Sequence, residues 1–249
     1  HSDSRRQRQM CIRDSIIPVS ILLNFVIKGY SIINFIEIFQ ITISSISLAF
    51  ISSSFIMLLS LLMIIVGAYK SNNFQKILIF FASSGYAFPG TILAVGIVVF
   101  VGWLNDLIYF RMSYAVGGFI ILLFAYSIRF LAVGNGAITS GISRIHPNLL
   151  DASRTMGVSF FKSIRKIILP LLYTNLLVGG ILVFVDILKE LPITLLLRPF
   201  NFETLATYVY QYASDEMLEE SAFAALIIVI AGLGPVIFLN RTITKSIKN

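Results

Sequence analysis

The sequence is poor in the residues on which most catalytic and metal chemistry depends. Its 249 residues include one cysteine, Cys11, and two histidines, His1 and His146. A lone cysteine excludes an internal disulfide and a cysteine metal cluster. Two histidines so far apart in sequence argue against a histidine metal site. Charge is scarce too: Asp, Glu, Lys and Arg make up 12% of the chain against 57% hydrophobic residues, and the mean hydropathy is +0.89. That balance is too apolar to clothe a soluble domain. A membrane-embedded enzyme would show clustered His, Cys or paired Asp at membrane depth, and none is legible. No Gly-x-x-x-x-Gly-Lys-Ser/Thr phosphate loop occurs anywhere, so no nucleotide motor of that type is written into the chain.

What is present is apolar sequence in long runs, with phenylalanine in clear excess at 21 residues, as suits a chain whose outer face meets lipid. Residues 1–15 are polar and arginine-rich, and the text changes abruptly at Ile16. They read as non-native or disordered, with no cleavage site of the kind a targeting segment needs. Ile16 to Ile27 is too short to span alone and reads as the remaining half of a truncated helix. Five longer segments follow: Phe35 to Ala68, Pro89 to Leu104, Tyr114 to Val133, Leu171 to Leu188 and Ala222 to Leu239. Helices satisfy their own backbone groups inside lipid, so the expectation is an all-α, polytopic transmembrane bundle of about six spans in one domain, 16–249. The glycines Gly90, Gly96, Gly117, Gly118, Gly179 and Gly180 are expected to let helices approach closely, and Pro89 to open or kink the third span.

The loops set an orientation. Lys70 and Lys76, then Arg144, Arg154, Lys162, Arg165 and Lys166, then Arg241, Lys245 and Lys248 fall on one side if the spans alternate. The other side has Lys28, Arg111, Lys189 and Arg198 among Asp106, Glu203, Asp215, Glu216, Glu219 and Glu220. The Lys/Arg excess places the first set, and both termini, in the cytoplasm. The net charge of +7 is accounted for by these basic loops and does not call for nucleic acid.

The connection 134–169 has helix signals of its own. Asn148 is a good N-cap, and Asp151 three residues on suits the positive helix end. Leu149, Ala152, Met156 and Phe160 recur at helical spacing with Arg154 and Lys162 off the stripe, and Gly157 can turn the chain between two short helices. On these residues alone, a helix resting on lipid headgroups and a helix docked in a partner's groove are equally open.

Asp151-Ala152-Ser153, three residues, Gly157, nine residues, Ile167, one residue, Leu169-Pro170 resembles the EAA motif of binding-protein-dependent ABC importer permeases. Asp151 stands where the motif has Glu, and Ser153 where it has the second Ala; spacing agrees throughout. The resemblance implies the type I permease fold over roughly Ile16 to Asn249. It also implies a coupling segment, Asp151 to Phe160, that inserts into a cytoplasmic ATP-binding subunit dimer. ATP and Mg would be bound by that partner and no cofactor by this chain, in keeping with the missing phosphate loop. Further implied partners are an extracytoplasmic substrate-binding protein, a second permease half or copy, and membrane lipid, with the bacterial cytoplasmic membrane as location.

Gly85-Tyr-Ala-Phe-Pro-Gly-Thr91 and Lys189-Glu-Leu-Pro-Ile-Thr-Leu-Leu-Leu-Arg-Pro199, continuing through Glu203-Thr-Leu-Ala-Thr207, resemble the C-terminal half of ferric-iron importer permeases. Permeases for thiamine, phosphonates or polyamines share parts of these stretches and stand as the alternative. An ion-coupled secondary transporter would need more ionisable residues near the midplane. Ferric iron is a hard cation suited to oxygen ligands, and the outer loop offers Glu203, Tyr208, Tyr210, Tyr212, Asp215, Glu216, Glu219 and Glu220. The same residues also suit a solvated loop with interfacial tyrosines. Asp186, in the outer part of the fifth span, is either a pathway carboxylate or the partner of Lys189. Glu190 and Pro192 close that helix and, from the resemblance, stand as gate residues.

Overall fold

The computed structural model describes residues 16–69, 73–108, 114–145, 155–156 and 158–248. Residues 1–15, together with Lys70, His146, Asp151, Ala152, Ser153 and Gly157, lie outside them. Among the described residues every regular element is a helix. The first, α1, is the short apolar Ile16–Lys28. Then come α2 (Phe35–Tyr69), α3 (Asn73–Ser84), a 3₁₀ turn (Gly85–Ala87), α4 (Gly90–Ile108) and α5 (Tyr114–Ile142). After the connection follow α6 (Phe160–Ser163), a π-helical turn (Ile164–Ile168), α7 (Leu169–Leu188), α8 (Pro192–Leu197), α9 (Leu205–Ser214) and α10 (Leu218–Lys248).

Four stretches are long and apolar enough to cross a bilayer: Phe35–Ile65, Gly118–Ile142, Ile164–Leu188 and Leu218–Ile237. A fifth is broken, Ile77–Ala87 meeting Gly90–Leu104 at 116°. With the short α1 these make up the multi-pass bundle the apolar runs predict. The break falls at Pro89, and Phe88 before it is extended (φ −81°, ψ 138°), because the ring of a proline clashes with a helical residue ahead of it.

The bundle is organised on α2, α5 and α7. Ile56, Leu122, Ala125, Tyr126, Ile138, Leu172 and Val183 are buried between them. The seam is tight because small residues face each other. A Cβ on Gly179 would lie 2.7 Å from Ala137 Cβ and 2.9 Å from Met57 Cε, and one on Gly141 2.6 Å from Leu172 Cδ2. In lipid, where apolar burial gives little net drive, such close approach is what holds helices together. Gly118 likewise abuts Pro199. Gly96 departs from the expectation, since nothing approaches within 4 Å of an added Cβ there. Outward, Phe39, Phe50, Leu58, Val99 and Trp103 are exposed, the surface a lipid-facing bundle presents.

Two boundaries differ from those read in the sequence. The stretch 134–142, assigned to the cytoplasmic connection, continues α5, since Gly134 and Gly141 are contact positions against Ser60 and Leu172 rather than turn residues. Lys76, assigned to a loop, lies on α3, whose apolar residues from Ile77 onward form the first arm of the broken span.

Candidate functional site

The sequence-marked residues fall at the two ends of α7. Before its start stand the described residues of the motif-bearing connection. Met156 is 73% exposed, and Phe160 opens α6. Ile167 belongs to the π-helical turn, Leu169 and Pro170 to the first turn of α7. Ile167 and Leu169 are half-buried and Pro170 exposed, while Ser163 and Ile168 between them are buried. The π turn has a local cause. Pro170 has no N–H to give and its ring would crowd the carbonyl a turn earlier. The helix widens by one residue, and the Leu169 N–H bonds to the Ile164 carbonyl instead. Such π turns concentrate where a helix must be re-aimed.

At the far end, α7 closes into a short linker that is pinned to the rest of the bundle. Asp186 accepts an ion pair from Lys189 at 2.9 Å, so of its two readings the local pair is the one formed. That hydrogen bond raises the Lys189 pKa above its ordinary value. Pro192 opens α8, where its missing N–H is no loss. Thr194, fully buried, donates to the Glu190 carbonyl at 2.8 Å and shares a 2.5 Å hydrogen bond with the Tyr126 hydroxyl on α5. Arg198 donates to Glu203 and to Thr207. Thr204 and Thr207 form a capping box on α9, and the Leu205 N–H reaches Ser45 on α2 at 2.7 Å. Phe202 meets Phe119 edge-on at 4.7 Å.

Glu190 is the most deeply placed of the sequence-marked carboxylates. Its side chain is 8% exposed and lies 3.5 Å from the Arg129 guanidinium, itself 20% exposed. Arg129 sits midway along the apolar stretch Gly118–Ile142, roughly 16 Å from its start by the helical rise. Gly90 touches both: an added Cβ would clash with Arg129 Nη1 and lie 2.9 Å from Glu190 Oε1. Sequence reading passed over Arg129 and Tyr126, and gave Thr194 no role of its own within the stretch Lys189 to Pro199. For Arg129 a signal existed, a cation inside an apolar run; for Tyr126 there was none.

The outer oxygen-bearing residues are not one cluster. Glu203 is engaged by Arg198, Tyr208 is buried with its ring tilted at 36° against Tyr212, centroids 4.4 Å apart, and Tyr210 is exposed. Glu219 and Glu220 lie in the first turn of α10, where carboxylates complement the helix end.

Residues 60–249 match the family described as binding-protein-dependent transport system inner membrane component. A curated relative, the Fe(3+)-transport system permease protein FbpB 2 of Haemophilus influenzae, is 25% identical over 157 residues. The match covers 63% of this chain and 29% of that protein, so the chain spans under a third of the relative's length. Among solved structures, a chain of the inward-facing MetNI methionine ABC transporter superposes with a TM-score of 0.61 at 15% identity, covering 84% of this chain and 95% of that one. A bacterial ABC transporter importing the acidic polysaccharide alginate gives a TM-score of 0.56 at 16% identity, covering 95% and 98%. At such identity these two establish the fold alone.

Proposed function

The chain belongs to the binding-protein-dependent transport system inner membrane components, and from that premise we propose that it lines the route by which an ATP-driven importer moves ferric iron. The permease class rests on the match over residues 60–249 and the superposition on ABC importer chains. The cargo rests on one observation, the likeness to an Fe(3+)-transport permease. Ferric iron here is substrate, delivered by an extracytoplasmic binding protein and passed on without a resident metal site in this chain.

The motor is a separate ATP-binding subunit dimer, which supplies ATP and Mg. Asp151, Ala152, Ser153, Met156, Gly157 and Phe160 dock on it, and Ile167, Leu169 and Pro170 pass the displacement into α7. The exposed Met156 and the π turn ahead of Pro170 support that role. Asp186, Glu190 and Pro192 stand at the gate end. Both termini face the cytoplasm of a bacterial cell, and a second permease half or copy completes the route. Tilting of packed helices against one another, a shear or hinge transition, is the motion such a bundle permits.

The test is uptake of radiolabelled ferric iron in cells carrying the full-length native permease, its binding protein and its ATPase, with and without Gly157→Glu. Coupling through this segment predicts loss of uptake by roughly tenfold or more while ATP hydrolysis persists. Normal uptake by the variant defeats the coupling role. A parent that moves no iron, yet co-purifies with an ATPase, redirects the cargo to thiamine, phosphonate or polyamine.

A further inference from the structure

Of the ion pairs formed by described residues, Lys189–Asp186 and Arg198–Glu203 are local in sequence, whereas Arg129–Glu190 joins two separate parts of the bundle. It is also incomplete. Arg129 Nε and Nη1 and Glu190 Oε1 are buried without a hydrogen-bond partner among the described residues, although the Ile193 N–H also reaches the Glu190 carboxylate, and Nε lies a long 3.5 Å from Oε2. A buried pair kept only for stability gains by saturating every donor and acceptor, because each unmet group carries its full desolvation cost. An arginine midway along an apolar span, paired with a buried carboxylate, is by default a candidate for function rather than for stability alone.

The surroundings indicate the purpose. Gly90, the first residue of α4, packs directly on both charged groups, and α4 is the second arm of the span broken at 116°. Arg129 is carried by α5, the helix packed into the α2–α7 seam. Glu190 ends α7, whose other end follows the π turn and Pro170, and its carbonyl anchors Thr194 of α8. Three segments, the start of α4, the middle of α5 and the end of α7, therefore meet at one pair of charges.

We propose that Arg129 is a positioning residue for transport, its guanidinium holding Glu190 against the Gly90 bend while the route is closed at this level and releasing it when α7 moves. This rests on the permease reading given above and names a control point within it. A two-state contact of this kind biases an equilibrium without binding cargo. Removing either charge therefore changes how tightly ATP hydrolysis is tied to movement of cargo, rather than how well cargo is recognised.

The experiment uses proteoliposomes of the complete transporter, with full-length permease, ATPase and binding protein, and reads ferric iron uptake beside ATP hydrolysis. Arg129→Gln and Glu190→Gln should each raise hydrolysis in the absence of binding protein by roughly fivefold or more and lower iron moved per ATP by at least as much. Arg129→Lys, which keeps the charge, and the exchanged pair R129E/E190R should recover most of the ratio. Glutamine variants that keep the parental ratio overturn the proposal. So do variants in which uptake and hydrolysis fall together in proportion, the mark of a merely structural role.

Should the glutamine variants fail to assemble, Ala94→Cys in an otherwise cysteine-free full-length permease decides the matter. Ala94 is fully buried one turn into α4. An impermeant maleimide should label Cys at position 94 faster once binding protein and ATP are added, and an unchanged rate overturns the latch. A parent that moves no iron defeats the iron reading alone, since hydrolysis and labelling still test the latch.

Discussion

The two ends of α7 are built on opposite principles. The end that begins at Leu169 is entered through a widened turn, with Met156 and Pro170 exposed nearby, and its recognisable residues are spaced along one strand of sequence. The end that closes at Leu188 leads into a segment pinned by side chains from α2 and α5: Ser45 on Leu205, Tyr126 on Thr194, Arg129 on Glu190. The coupling role proposed for α7 calls for this asymmetry. One end must be free to take up displacement, and the other must have discrete contacts that displacement can make or break. Between them Gly179 holds the helix against Ala137 and Met57, so the shaft itself stays rigid.

That contrast can be broken first at the shaft. Gly179→Leu forces a side chain into space already filled by Ala137 and Met57. It should cost about 3 kcal/mol or more, seen as a fall in the detergent melting temperature and in membrane yield. Gly180→Ala beside it, whose nearest neighbour is Met57 Cγ at 3.8 Å, should be tolerated, and equal damage at the two positions would refute the seam.

The pinned end comes next. Thr194→Val leaves the buried Tyr126 hydroxyl without a partner and should cost about 2 kcal/mol. Tyr126→Phe leaves Thr194 still bonded to the Glu190 carbonyl and should cost about 1 kcal/mol. Thermal melts of the two variants check the order, which reverses if the hydroxyls are in truth solvated.

The free end is expected to answer in coupling rather than in stability. Pro170→Ala restores an N–H, allows the π turn to close to an α-turn, and should rotate α7 relative to α6. The expected result is a change of about threefold in cargo moved per ATP with the melting temperature nearly unchanged. A large loss of stability would mean that the π turn is a packing requirement. The smallest effect belongs to Asp186→Asn, because its partner Lys189 is 63% exposed. A paired charge so open to water contributes below about 1 kcal/mol, and uptake and melting should both stay near the parent's.

Much of the architecture was legible from the chain because lipid makes stringent demands on sequence. A span requires an uninterrupted apolar run, so Phe35 onward and Leu171 onward were plain, and Pro89 announced the break. The boundaries at 134–142 and at Lys76 were not, because glycine and lysine each have two roles. Gly134 looks like a turn residue until Ser60 is seen against it, and a single lysine can sit on an otherwise apolar helix. The candidate site divides the same way. The motif was readable as spacing, including the Pro170 that imposes the π turn. Tyr126–Thr194 and Arg129–Glu190 join residues 68 and 61 positions apart, and no local pattern pairs them.

By itself, then, the sequence determined that this protein lives in a membrane and that its elements are helices. Those are one-dimensional properties: apolar length, periodicity and spacing. Only the tertiary structure decided which glycines are contacts and which are idle, that Asp186 is spent on Lys189, and that Glu190 faces an arginine from another span. Those outcomes depend on distances between remote parts of the chain, set by how closely α2, α5 and α7 pack, and a buried charge acquires its meaning only from what stands opposite it.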